Sequence, residues 1–514
     1  MKLRFILIFM VFLPFIPING QDSKGPLRIE LEARAEVFQL IPCGIEGVLV
    51  FYETINQTDT QNKAWFFVFY NNLLQPVWSI EIPVMMDGIF QNYYADDNQM
   101  YLAFQKTAKA RSYEYNFQVI SLNIIDSENI SYHMFVPDRA ELVRFIVDDG
   151  KLVAGFNYFK EEALIIIKSL ASGEESVVKF TEQPTFIKDL QVQSNPDQVL
   201  AVLNVYISRR ENATYLNSYD FSGQFLKSTT LAPGKSSEKL INAQIHLVAN
   251  DELFVLGSYN NLNGKTLRSE GSEQNEQSEG FYIAYMSGGQ QKYLRTHRLL
   301  DFKNITQILN NQQLVAAESL LKKQSKQGKE QSLNYDFLIH DLMVNGDEFI
   351  MLADAYYPEY RQISTMSYDF YGRPMPYYYT VFDGFRYFNG FVVSFNKDGG
   401  LNWSNGIKIW DVQTMQLSRR TAFYTDGTDM VLFYNHDGKI VSKVIEGYED
   451  IGAVENTKIA TLSSGDVQLE SSQGSVSHWY GDYFLAYGYQ ILRSTDSGSG
   501  SRRKVFYLNK IIFN

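Results

Sequence analysis

Short runs in which apolar and polar residues alternate cover most of this chain. They begin at residues 37–40 and 48–52 and continue through 65–70, 77–82, 90–94, 100–104, 117–123 and 131–136. A period of two sends successive side chains to opposite faces of an extended strand. Stretches with the period of an amphipathic helix are nearly absent. Between paired runs sits a recurring tight turn built from Asp, Asn and Gly. It falls at Gly44, Asp97, Asp149, Asp197, Asp251, Gly346, Gly427 and Gly481. Glycine and asparagine tolerate positive φ, and an aspartate side chain satisfies the amides of its own turn.

Most of these turns are spaced by roughly fifty residues, and a period of that size in an all-strand chain marks a structural repeat. The size fits one four-stranded propeller blade, in which the turn joins the first and second strands. A second hairpin then joins the third and fourth, as at 396–400, 219–223 and 287–289. The fold expected is an all-β β-propeller of eight four-stranded blades, with seven blades as the alternative. The residues after Gly481 and those before Gly44 are each too few for a blade, but together they make one period. The N-terminal strand, near 27–31, is therefore expected to complete the last blade beside 505–513, leaving fewer free strand edges.

Two intervals are longer than one period. The first contains residues 302–335, where Ile305, Ile308, Leu309, Leu320 and Leu321 have partial helical spacing and a polar tail follows from Lys322 to Gln331. This reads as a helix and a mobile linker inserted between blades; a degenerate ninth blade is the alternative. The second contains residues 354–388, read as a loop crowded with tyrosine between the second and third strands of one blade. In a propeller, loops of that kind share a face with blade-to-blade connections. Both insertions are therefore expected side by side on one rim.

The tyrosine loop carries the candidate binding residues: Tyr356, Tyr357, Glu359, Tyr360, Arg361, Tyr368, Tyr371, Arg373, Tyr377, Tyr378, Tyr379 and Arg386. Tyrosine offers a flat apolar face and a hydroxyl at small entropic cost, which suits recognition. The same rings could instead pack into a small satellite core that holds the loop down. Glu359, Asp369 and Asp383 are the carboxylates on which a glycan-cleaving site would depend.

Composition narrows the partners. The chain has 514 residues, 45% of them hydrophobic and 15% aromatic, enough for a large core. Its formal charge is −12, which argues against nucleic acid. Residues 1–20 read as an export signal: Lys2 and Arg4 precede an apolar run that contains Pro14 and Pro17 and is short for a membrane span. No later segment has the length and apolarity of a spanning helix. Cys43, the lone cysteine, cannot form an internal disulfide and reads as a buried strand residue. His133, His246, His297, His340, His436 and His478 show no metal-ligand spacing, so no metal and no cofactor is expected. His340, beside Asp341, could line a central channel or simply hold a strand partner.

The stretch Asp398-Gly399-Gly400-Leu401-Asn402-Trp403 resembles the Asp-box of sialidase-type propellers. Asn396 stands where that family has serine. In that family the box is structural: the aspartate caps hairpin amides and the tryptophan packs between sheets. An ordinary hairpin accounts for the same residues, and no arginine triad or Tyr–Glu pair of a sialidase can be assigned. With its leader and aromatic content, the chain as a whole resembles the exported propellers of Bacteroidetes. These readings imply a non-enzymatic cell-envelope binding or scaffold propeller, periplasmic or at the cell surface. Its expected partner is an envelope protein or exported polypeptide. A glycan-binding or glycoside-cleaving propeller is the alternative.

Overall fold

The computed structural model describes residues 28–33, 36–57, 61–106, 115–158, 162–208, 211–249, 251–261, 277–302, 309, 311–327, 333–340, 342–368, 370–425, 429–446, 454–463, 465–494 and 502–512. The leader, the turn at Gly427, Ile305, Ile308, Asp341 and Asp369 lie outside them.

The described strands form eight antiparallel sheets. In chain order these blades span 39–85, 88–134, 141–180, 185–231, 238–298, 336–414, 422–458 and 466–512. In all eight blades the first and second strands flank the expected turn, including the pair on either side of 426–428. Asp97 and Asp149 take φ of 47° and 44° there, the left-handed geometry such a turn requires. Blade 8 is completed by Arg28–Glu32, which pairs with Arg502–Ile512 from Arg28↔Asn509 to Glu32↔Val505. The molecule is an eight-bladed β-propeller, closed by its own N-terminal strand.

Packing follows from the alternation of side chains. Eight apolar clusters occupy the eight junctions between neighbouring blades. The cluster joining blades 8 and 1 contains Val48, Val50, Leu485, Phe506 and Leu508, so the seam of the ring is as apolar as the other junctions. Trp479 adds a hydrogen bond across that seam, from Nε1 to the Gly47 carbonyl at 2.7 Å.

Buried and half-buried polar side chains join the blades in a second way. On its second strand, a blade carries a side chain that holds backbone of the next blade. Gln105 donates to the Ala140 carbonyl, and Asn157 both donates to and accepts from Ile187. Asn204 donates to the Leu240 carbonyl, and Asn435 donates to Ser475. Asp354 accepts from the Arg420 amide at 2.6 Å and from the Thr421 hydroxyl at 2.5 Å.

Three expectations need correction. Residues 311–327 are one α-helix, α1 (Asn311–Gln327), so the polar tail from Lys322 to Gln327 is helical rather than a linker. There is no ninth sheet among the described residues. Cys43 ends the first strand of blade 1 half-buried, with its thiol pushed up to about 12 by desolvation. The third correction concerns 354–388, which is no loop. The second strand of blade 6, Glu348–Tyr368, and the third, Pro374–Asn396, pair along their whole length from Glu348↔Asn396 to Tyr368↔Pro374, with two register shifts, at Ala355/Tyr356 and Glu359/Tyr360. The stretch is a two-stranded arm that projects from the blade. Pro358, Pro374, Pro376 and Gly384 resemble breakers in sequence. Proline is tolerated where its nitrogen faces away from the partner strand, so the ladder survives.

Helix α1 and the base of the arm meet in one cluster. Ala317 is completely buried and Leu314, Leu320 and Leu321 are partly so, against a core that includes Phe302, Leu309, Phe337, Ala355 and Phe388.

Candidate functional site: the aromatic arm

Only the base of the arm is wrapped by the rest of blade 6. The first strand pairs with the second as far as Tyr356, and the fourth, Leu401–Thr414, pairs with the third as far as Phe385. Beyond these points the arm has no strand neighbour among the described residues.

At the base, aromatic and charged side chains lock the arm down. Tyr356 lies edge-on to Phe385 at 5.6 Å and tilted against Tyr387 at 6.1 Å. Tyr357 packs on Phe388. Arg386 donates to Glu359 at 2.8 Å, Asp411 at 3.2 Å and Gln413 at 3.3 Å. Arg361 meets Asp383 at 3.1 Å. The satellite-core reading therefore holds for Tyr356, while Tyr357 touches Phe388 but stays exposed; Glu359 and Asp383 each engage an arginine.

Further out the side chains face water. Strand alternation divides them between two faces, so the arm does not present one aromatic surface. Tyr360 and Tyr378 share a face with Phe382 and Met366, and Tyr377 and Tyr379 share the other with Ile363 and Thr365. Tyr360 is 56% exposed, Tyr377 60% and Tyr378 62%. Tyr377 and Tyr379 stack at 6.2 Å and 28°. At the tip Tyr371 lies edge-on to Phe370, which is 97% exposed, and the Arg373 guanidinium sits 5.6 Å from the Tyr371 ring. Tyr368 ends the second strand.

The sequence reading missed several members of this surface. Met366, Phe370, Met375 and Phe382 are all exposed and lie on the arm. Asp411 and Gln413 come from the fourth strand, and only its pairing brings them to Arg386. Tyr360, Ile363 and Met366 recur every three residues rather than every two, so the sequence carried no signal for the two faces.

The other candidates are structural. His340 lies just past the strand segment Asp336–Ile339, and its Nε2 contacts the buried Asp354 Oδ2 at 2.8 Å. In the Asp-box-like hairpin it is Asn396 that caps: its Oδ1 accepts from the Asp398 and Gly400 amides at 3.0 and 2.8 Å. Trp403 packs at the junction of blades 6 and 7 and donates to Glu348 at 2.6 Å. Among the described residues no group of three or more His, Cys, Asp or Glu could hold a metal ion. No described helix is long and apolar enough to cross a membrane.

No family model matches the chain, and no curated protein matches it. Solved structures do. The chain is similar to the β-propeller domain of the Trilobed protease from Pyrococcus furiosus, at 10% identity and a TM-score of 0.33, over 82% of this chain and 98% of that one. It is similar to the Dos1 propeller at 8% identity and 0.36, over 80% and 89%. It is also similar to a prolyl endopeptidase at 10% identity and 0.38. That match covers 83% of this chain, which spans about half, 51%, of the endopeptidase. The propeller assignment rests on the strand pairing itself.

Proposed function

We propose that this chain is a non-enzymatic binding or scaffold propeller of the cell envelope, and that its arm captures a protein partner. One observation carries the reading: a two-stranded ribbon stands clear of its blade with Tyr360, Phe370, Tyr377 and Tyr378 turned to solvent. Isolated hairpins are marginal in water, and a chain gains little by exposing large rings without a partner. Tyrosine-rich surfaces anchored on a rigid scaffold are suited to protein recognition. The leader and the acidic balance support an exported setting and disfavour nucleic acid. The glycoside-cleaving alternative is weakened, because Glu359 and Asp383 are each held by an arginine.

The test is a triple replacement, Tyr360→Ala, Tyr377→Ala and Tyr378→Ala. These rings lie outside the blade core, so thermal stability should be unchanged. Partner recovery from solubilised envelope, measured by quantitative mass spectrometry, should fall at least about tenfold. Unchanged recovery with a folded variant would overturn the reading.

A further inference from the structure

The two edges of the arm differ. On the second strand, alternate residues turn their backbone groups away from the third. The parity is fixed at the blade, where the His340 amide donates to the Leu352 carbonyl. Continued outward, it assigns Tyr360, Gln362, Ser364 and Met366 to the open edge. The two register shifts place their extra residues, Asp383 and Phe388, on the third strand, so the second keeps its alternation. Pro358 falls on the same parity and marks the inner limit of that edge. On the third strand, Pro376 and Pro374 lie opposite Met366 and Tyr368, so two of its outward positions have no N–H to offer. Proline on an edge is a common protection against pairing with another chain. Here one edge carries it near the tip, and the other has no proline from Glu359 to Ser367.

We propose that two copies of this chain join through this open edge, second strand to second strand, antiparallel about a twofold axis at Ile363. In that register Gln362 lies opposite Ser364, and Tyr360 opposite Met366. Those four outward residues then find partners; Tyr368, of the same parity, falls opposite Pro358, which has no N–H, so the paired ladder ends there. Tyr360 meets the thioether of Met366 across the strands, a favourable contact. Ile363 meets its own copy at the closely spaced, non-hydrogen-bonded position. Arg361 lies opposite Thr365, so no like charges face each other.

Charge favours a second copy as the occupant. Residues 357–388 hold three arginines and three acids, a neutral ribbon on an acidic chain. Nine residues of strand reach about 30 Å. Arms that meet along this length keep the acidic propellers apart by more than the screening length of about 8 Å at physiological salt. An isologous contact also closes on itself, and the guarded edge stops further addition, so the assembly ends at two. Pairing at the edge leaves both aromatic faces of the arm open. This inference therefore stands apart from the capture of an envelope partner.

Sedimentation velocity on the purified full chain, over roughly 1–100 μM, should show a monomer–dimer equilibrium. Ser364→Pro removes an outward donor and leaves the intramolecular ladder intact. It should weaken the dimer at least about tenfold. Thr380→Pro, the matching change on the guarded strand, should leave it unchanged. Ile363→Cys should form a disulfide-linked dimer on mild oxidation, with Cys43 as the only other thiol. A wild type that stays monomeric, equal effects of the two prolines, or no cross-link through Ile363→Cys would each overturn the proposal. Loss of self-association with partner capture intact, or the reverse, separates this inference from the preceding one.

Discussion

Asp354 shows what a single buried carboxylate does in this ring. Burial works to raise its pKa, but His340, the Thr421 hydroxyl and the Arg420 amide outweigh that and hold it below the ordinary carboxylate range. Removing the acceptor strands those donors at the junction of blades 6 and 7. Asp354→Ala should cost roughly 3–5 kcal/mol in urea unfolding. Because the folded pKa is depressed, the stabilisation is complete above the unfolded value of about 3.9. It is lost as pH falls through the folded value. The gap between wild type and Asp354→Asn should therefore shrink on acidification below about pH 4. Asp189 is the contrast: burial dominates over Arg144 and raises its pKa. A neutral amide is closer to the state that site favours, so Asp189→Asn should cost less than Asp354→Asn in the same assay. None of these joints was legible in the sequence. Asn157 and Asn204 occupy positions where an alternating pattern reads a polar residue as facing solvent. The neighbouring blade, brought close by the ring, buries Asn204 and covers Asn157 in part.

Among elements, the turns were legible because their chemistry is local: Asp97 and Asp149 need nothing beyond their own backbone to specify left-handed geometry. The arm was not. Tyr360, Ile363 and Met366 fall every third residue and three tyrosines run together at 377–379, so no alternation marks it, and whether a proline breaks a strand depends on which way its nitrogen points. Helix α1 was half legible: Leu320 and Leu321 gave the apolar stripe, while the lysines after them looked like a tail. They suit a helix C-terminus, where cations complement the dipole. Two changes should separate the insertions by their effect on the fold. Excising 359–383 and closing Pro358 to Gly384 with an Asn-Gly turn should leave the melting temperature within a few degrees, since the removed residues pack outside the junction clusters. Ala317→Asp, which places a carboxylate in the core shared by blades 5 and 6, should lower it much further.

At the scale of the molecule, the repeat of about fifty residues carried the architecture, and the two incomplete ends pointed to closure. Arg28 makes that closure specific. It lies in blade 8 with its guanidinium on Glu30, Asn509, Gln490 and the Ala460 carbonyl. Deleting 28–32 should expose the edge of Arg502–Ile512, lower thermal stability and promote aggregation, which size-exclusion chromatography after a thermal scan would register. The same closure sets an order of events. Arg28–Glu32 must wait until Arg502–Ile512 has been made before it finds its place, so the eighth sheet forms after the other seven have their strands. Until then the apolar edge of blade 1 lacks the cover of Phe506 and Leu508, and the unclosed ring is open to wrong pairing.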